Sequence, residues 1–275
     1  MALIAPLFSG SSGNSYFIGS KQKGILLDAG RSTKQILQAL AACDIPSDHV
    51  AAIFVTHEHS DHIRGLRVLA KKLKVPVFAT EGTVAQLESM QAVEASCSLF
   101  PISQGVECAD MWIEPFPTLH DCAQSCGYRI RMNDDKVLTF CTDLGVVTPD
   151  VEKALDGTDF AVIESNHDVG MLMNGPYPYP LKRRILSEHG HLSNDSCSGL
   201  LPQLAQKGTT RFMLAHLSHE NNTPEVARQS AHCSMQLAGL RENSDYQLYV
   251  IRQEPSFLFN KRRGRVLCSK SGFCV

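Results

Sequence analysis

The sequence predicts a mixed α/β fold with strands in two groups and helices outside them. Three observations carry that expectation. Short apolar, β-rich runs recur along the chain, and helically spaced segments follow several of them. The stretch from about 111 to 141 holds three strand-like runs in succession.

Taken in order, β-like runs fall near 2–8, 14–19 and 24–28, and a helix follows from Ser32 to Ala42 with Ser32 as its N-cap. A strand over 51–55 leads into a polar loop, then a helix from Ile63 to Leu73, a strand over 75–79 and a helix over about 81–90. Strands over 111–117, 126–132 and 136–141 come next, with Asn133-Asp134-Asp135 as the turn between the last two. A helix near 148–155, a strand over 159–163, helical segments near 180–187 and 193–206, a strand over 211–215 and a helix from about 223 complete the pattern. No Gly/Ser, Pro-rich or charged linker interrupts it, so one domain over residues 1–275 is expected.

Composition narrows the functional classes. The chain is 43% hydrophobic and 20% charged, as a water-soluble globular protein is. No apolar stretch reaches membrane-spanning length. The apolar start, Met1 to Phe8, lacks a basic segment and does not read as a signal peptide. Cysteines stand at 43, 97, 108, 122, 126, 141, 197, 233, 268 and 274 with no Cys-x-x-Cys pair, which argues against a structural zinc site. Free thiols in a reducing cytoplasm are the expectation. Cys122, Cys126 and Cys141 read as small buried hydrophobes rather than redox groups. The net charge of −2 gives no global sign of a polyanion partner. Basic clusters exist locally at Lys71-Lys72 with Lys74, at Lys182-Arg183-Arg184, and at Lys261-Arg262-Arg263 with Arg265.

The densest chemistry is His57-Glu58-His59-Ser60-Asp61-His62, straight after the apolar run Ala51 to Val55 and Thr56. His57, His59, Asp61 and His62, four metal-capable side chains on a loop between a strand and a helix, point to a metal site. Imidazole and carboxylate suit zinc, iron and manganese. His57 and His59 are two apart and face the same way in extended backbone. Asp61 and His62 are adjacent at the helix start and aim elsewhere, so the spacing suggests two ions.

This H-x-H-x-D-H pattern resembles the metallo-β-lactamase fold superfamily. Further stations of that family follow in order: Asp28 in Leu26-Leu27-Asp28-Ala29-Gly30, His120 after Pro117-Thr118-Leu119, Asp143 after Phe140-Cys141-Thr142, and His216 after Phe212 to Ala215. The resemblance implies a four-layer αββα sandwich. The segments Ser9 to Ser15, Glu164 to Asp168, Gly175-Pro176-Tyr177-Pro178, His189 to Ser193 and Ala215 to Thr223 are similar to the YycJ/WalJ-like nuclease subgroup, over most of the chain up to about residue 230. What that likeness implies is a bacterial cytoplasmic 5′-to-3′ exonuclease acting on double-stranded DNA.

Carried over residue by residue, the resemblance gives one divalent ion to His57, His59, His120 and Asp143, and a second to Asp61, His62, Asp143 and His216. Zinc, manganese and iron all fit such a set. A hydroxide held between the ions would attack phosphorus, Asp61 would orient it, and Asp28 would brace the ligand loop. His191, in Gly-His-Leu-Ser, resembles the Gly-His-Ser-Thr segment of the ribonuclease Z group, where the His assists the leaving oxygen; Glu164 is its expected partner, with His189 and His167 as alternatives to His191. For substrate, Ser11 in the Ser9–Ser15 loop is a candidate phosphate contact, or the loop is simply a tight turn. Lys182, Arg183 and Arg184 are candidate phosphate-neutralising residues because they precede the His189/His191 segment. The interval from Asp143 to His216 leaves no room for a large specificity cap. Competing readings are a glyoxalase-II-like thioester hydrolase, a ribonuclease Z-like RNA-processing enzyme and, last, a non-catalytic binding protein. A nucleic-acid partner and no membrane partner are expected, and the sequence sets no oligomeric state.

Overall fold

The computed structural model describes residues 3–20, 22–252 and 273–274. The basic cluster Lys261-Arg262-Arg263 with Arg265, and Cys268, lie outside the described residues.

The first half of the chain builds one sheet and the second half another. Strands β1 (Leu3–Phe8), β2 (Ser15–Gly19) and β3 (Gly24–Leu27) form an antiparallel meander. Helix α1 (Thr33–Ala42) then carries the chain to β4 (Val50–Phe54), which is parallel to β3. After α2 (Ser60–Ile63) and α3 (Leu66–Leu73), β5 (Val77–Ala79) is added in parallel, and after α4 (Glu81–Ser89) so is β6 (Leu99–Pro101). The second sheet starts as a meander of β7 (Val106–Cys108), β8 (Met111–Pro117), β9 (Cys126–Met132) and β10 (Val137–Cys141). It continues in parallel through β11 (Phe160–Glu164), β12 (Arg211–Ala215) and β13 (Gln247–Val250), with α5 (Pro149–Leu155), α6 (Val169–Asn174), α7 (Tyr179–Ile185), α8 (Asn194–Gln206) and α9 (Pro224–Leu237) in the crossovers. Strand β14 (Phe273–Cys274) pairs antiparallel with β1 and closes the outer edge of the first sheet.

The two sheets bury their facing sides against each other. Tyr16, Ile18 and Phe54 of the first meet Tyr128, Phe140 and Met213 of the second in one apolar cluster. The far side of the first sheet is covered by α1, α3 and α4 through Ile36, Leu69 and Leu87. The far side of the second is covered by α5, α8 and α9 through Leu155, Leu201 and Met235. Strands whose residues are nearly all buried, such as β3 and β11, are what a sheet covered on both faces requires. The result is the expected four-layer αββα sandwich.

The continuous helix expected over Ile63–Leu73 is interrupted. It ends as α2, and α3 starts at Leu66. The reason is a backbone contact: Gly65 donates to Ala29 O, and a Cβ on Gly65 would lie 2.0 Å from Arg31 O. The ligand loop is thereby pressed onto the turn after β3. The Ser32 cap is as expected, and Gln35 completes a capping box with it. The interval from Asp143 to His216 holds α5, β11, α6, α7 and α8, and two of these, α6 and α7, are short helices beside the site.

Candidate metal centre

The groups singled out in the sequence gather where strands from both sheets end. His57 lies three residues past β4, His120 three past β8 and Asp143 two past β10. Asp28 and His216 directly follow β3 and β12, and Glu164 is the last residue of β11. Three of these residues hold the left-handed backbone that side chains other than glycine rarely adopt: Asp28 (φ 62°), Asp143 (φ 58°) and His216 (φ 56°). Each such residue costs about 1–2 kcal/mol. The sharp turn it makes at a strand end aims the side chain inward, and strain of this kind concentrates at functional sites.

Every histidine of the set has one ring nitrogen tied down from outside. His57 Nδ1 lies 3.0 Å from Thr56 Oγ1, and His62 Nδ1 is 2.8 Å from the Asp28 carboxylate. His120 Nδ1 is 3.1 Å from Gly190 O, and His216 Nδ1 is 2.7 Å from Glu164 Oε1. His59 is held the other way round, with Nε2 3.2 Å from Asp121 O. Acceptors at those positions fix the tautomers and leave the second nitrogen of each ring free to bind. These free nitrogens converge: His57 Nε2 and His59 Nδ1 are 3.1 Å apart, and His62 Nε2 lies 3.4 Å from Asp143 Oδ2 and 3.5 Å from Asp61 Oδ2. Donor atoms of His57, His59 and His120 form one group within 4.8 Å, those of Asp61, His62 and His216 another, and Asp143 lies within the same reach of His57 and His62 and of His216.

Such a set fits divalent cations. Asp143 Oδ2 and His216 Nε2 are buried and have no hydrogen-bond partner among the described residues. Orphaned buried polar atoms are rare in native proteins and mark a missing ion or water. The electrostatics agree. Burial works against charge on His62, yet the carboxylates of Asp143, Asp28 and Asp61 outweigh it and raise its pKa to about 9. Burial likewise opposes charge on His216, and Asp143, Asp61 and Glu164 raise it well above the ordinary value. The carboxylates thus call for positive charge at the point where the free nitrogens meet. Burial, reinforced by neighbouring imidazoles, keeps His57 neutral, the form that binds a metal.

The bracing residues explain the local sequence. Asp28 accepts from Thr56 N at 2.8 Å and Thr56 Oγ1 at 2.9 Å as well as holding His62. The Asn14 amide donates to Asp61 at 3.3 Å and lies 2.9 Å from His62 Nε2. Asn14 N also donates to Asp61 O, and Gly30 N donates to Asn14 O; a Cβ on Gly30 would lie 1.6 Å from Asp61 O. The Ser9–Ser15 segment is therefore the tight turn. Gly10 N is taken by Asn14 Oδ1 and Gly13 N by Gly10 O, while Ser11 reaches the cavity.

That cavity, about 220 Å³, opens over the cluster. Asp61, Asp143, His191 and His216 supply its reactive groups, and Tyr177, Leu181 and Ile185 supply an apolar strip. His191 lines it and lies outside the groups built on His57 and His62, but its donor atom falls within 4.8 Å of those of Asp143, Glu164 and His216. Its Nδ1 is 2.8 Å from Glu164 Oε1, and Glu164 Oε2 accepts from the backbone of Leu144 and Leu192. Burial pushes the Glu164 carboxyl up, but His191 and His216 pull it well below the carboxylate range. The two alternatives to His191 are elsewhere: His189 is on the surface, and His167 is buried with both ring nitrogens unpartnered among the described residues. Burial lowers the His167 pKa to about 4.

The basic run at 182–184 separates into three roles. Lys182 Nζ donates to the carbonyls of Met173 and Gly175, both at 2.8 Å, and so caps the end of α6. Arg183 is exposed. Arg184 lines the cavity, with Nε 2.5 Å from Asp121 Oδ2. Lys71 and Lys72 lie in the last turn of α3, where positive charge complements the helix dipole. Sequence reasoning missed Asn14, Thr56, Asp121 and Tyr177 as site residues. Thr56 and Asp121 each neighbour a site histidine, and Asn14 and Tyr177 lie inside the subgroup-like segments Ser9–Ser15 and Gly175–Pro178, but nothing in the sequence marked these residues individually.

A two-sheet sandwich with a histidine–carboxylate cluster at its strand ends defines a class of metal-dependent hydrolases. The chain belongs to the beta-lactamase superfamily, in its YycJ/WalJ-like branch: the beta-lactamase superfamily domain matches residues 23–217. It is 36% identical to the exodeoxyribonuclease YycJ of Bacillus anthracis, over 88% of this chain and 92% of that protein. It is 37% identical to the exodeoxyribonuclease WalJ of Streptococcus pneumoniae serotype 2 (strain D39 / NCTC 7466), over 88% and 91%. Among solved structures, the fold is shared with the metallo-β-lactamase fold protein YhfI from Bacillus subtilis (TM-score 0.69, 15% identity, 92% of this chain and 97% of that one). It is also shared with zinc-bound PqqB from Methylobacterium extorquens (TM-score 0.65, 16% identity, 92% and 98%). No helix among the described residues is long and apolar enough to cross a membrane.

Proposed function

We propose that the chain is a cytoplasmic two-metal phosphodiester hydrolase that removes nucleotides from the 5′ end of double-stranded DNA. The observation that carries the reading is the convergence of five outwardly braced histidines with Asp61 and Asp143 beneath a cavity lined by His191, which Glu164 holds from behind. The exodeoxyribonucleases it resembles over 88% of its length favour DNA as the substrate.

His57, His59 and His120 would hold one divalent ion, Asp61, His62 and His216 the other, with Asp143 between them. Zinc, manganese or iron bound there would acidify a water and neutralise charge on the phosphate oxygens. The chain's own residues do the rest. Asp61 is half-buried and kept anionic by His62 and His216 against the cost of that burial, so it can orient the attacking water. Glu164 holds His191 through Nδ1, which leaves Nε2 to deliver a proton to the leaving oxygen. Arg184 and Ser11 at the cavity are placed to hold phosphate oxygens, Arg184 as a charge-assisted donor. Asp28 braces the ligand loop from behind.

The test is parallel incubation of protein reconstituted with zinc, manganese or iron. The substrates are 5′- and 3′-labelled duplex DNA, single-stranded DNA, a tRNA precursor and a thioester. Progressive loss of 5′ nucleotides from duplex DNA is the expected result. Thioester hydrolysis without cleavage of any nucleic acid would replace this reading with a glyoxalase-like one.

A further inference from the structure

We propose that Tyr177 is a stacking platform for the base of the terminal nucleotide, so that the enzyme engages an unpaired strand end. The inference rests on the nuclease reading of the same cavity.

The apolar strip of the cavity is built to present this ring. Tyr177 sits between Pro176 and Pro178, in the four-residue stretch that joins α6 to α7. Proline fixes its own φ and confines the residue before it to extended backbone, so the Tyr177 main chain has little freedom. Both ends of the stretch are fastened. Lys182 Nζ holds the carbonyls of Met173 and Gly175 at 2.8 Å, and Gly175 is packed so closely on Asn221 that a Cβ there would lie 2.8 Å from its Oδ1. Lys182, a phosphate candidate on sequence grounds, thus serves to hold the segment that carries Tyr177.

The ring is not a core group. Tyr177 is only half-buried, and its hydroxyl makes no hydrogen bond among the described residues, whereas a structural buried tyrosine finds a partner for its hydroxyl. Tyr16 and Tyr128 do so in the core, at 2.6 Å and 2.7 Å. Tyr177 instead lines the same cavity as His191, His216 and Arg184. A rigid aromatic face beside a cation and a phosphate-cleaving centre is the pairing that single-stranded nucleic acid binds: the cation tracks the backbone and the ring takes a base. A cavity of about 220 Å³ takes part of one strand end rather than a whole duplex beside the reactive groups. On this reading the end frays before it is cut.

The experiment compares blunt duplexes whose terminal nucleotide carries either a normal base or an abasic tetrahydrofuran residue, with release of the first nucleotide as the readout. Wild-type protein should prefer the normal base in kcat/KM by roughly five- to a hundredfold, the range of base–aromatic stacking. Tyr177→Phe should keep that ratio. Tyr177→Ala and Tyr177→Leu should bring it below about twofold, the second variant preserving bulk if the first fails to fold. A wild-type enzyme that cuts both ends equally well would overturn the inference alone, as would an undiminished ratio in folded Tyr177→Leu. A wild-type protein that cuts no nucleic acid would overturn the nuclease reading and this inference with it.

Discussion

Glu164 and His191 are joined by a 2.8 Å hydrogen bond between Oε1 and Nδ1, and the same oxygen lies 2.7 Å from Nδ1 of His216. One buried carboxylate oxygen thus couples His191 at the cavity to His216 in the histidine–carboxylate cluster. With Oε2 taken by two backbone N–H groups, Glu164 cannot turn away from either.

The roles of the two partners should separate under mutation. His191→Ala is expected to keep its metal content and lose turnover by about 10²–10⁴-fold, the usual contribution of a general acid. Glu164→Gln should lower both, because its loss releases His216 as well. Elemental analysis alongside steady-state rates gives the answer. A His191→Ala enzyme with normal turnover would return His191 to a structural role.

Asp143 carries the two-ion assignment. Its Oδ2 is buried and unpartnered, and its donors reach both histidine groups. Wild-type protein should hold about two transition metals per chain, and Asp143→Ala should lose affinity for both together. Titration that shows one ion at full occupancy and no second binding event would remove the bridged arrangement.

Much of this was legible in the sequence because the site residues sit at strand ends, where an apolar run announces each of them. His57, His120, Asp143 and His216 all follow such runs, and the order of strands and helices is largely the one expected. What was not legible depends on contacts between distant segments. The bracing of Asp61 by Asn14 spans 47 residues, and the interruption between α2 and α3 follows from the approach of Arg31 to Gly65. The edge strands β6 and β7 are three residues each and half-exposed, too short to show alternation. Helix α6 has six residues and no room for a helical period to repeat. The run Lys182-Arg183-Arg184 looked like one patch because spacing does not show that Lys182 is spent on two backbone carbonyls.

That division gives a prediction about salt. If Arg184 neutralises a phosphate, Arg184→Ala should weaken DNA binding and reduce the slope of log K against log salt by about one. Lys182→Ala should leave the slope unchanged and lower thermal stability, since it frees the carbonyls of Met173 and Gly175. Binding measured across a salt series, with melting curves of both variants, separates the two. A slope that falls equally for each would restore the single-patch interpretation.

The last prediction concerns the metal-free chain and pH. Burial disfavours charge on His62 and His216, but Asp143, Asp28, Asp61 and Glu164 more than offset it, and His62 is raised from 6.5 to about 9. A histidine whose pKa is higher in the folded chain binds a proton there that the unfolded chain has released. Its contribution to stability is complete below the unfolded value of about 6.5 and is lost as pH rises through the folded value. Chelated protein should therefore lose stability between pH 6.5 and about 9. The carboxylates Asp61, Asp143 and Glu164 are held below their ordinary values, so their contribution fades only in acid and leaves that window unaffected. Metal-loaded protein should behave differently, because divalent ions meet the same demand for positive charge and bind more tightly as the imidazoles lose protons. Denaturant unfolding of chelated and reconstituted protein at pH 6.5, 7.5 and 8.5 checks the sign. A metal-free chain that gains stability across that range would show that the carboxylates do not hold protons on His62 and His216.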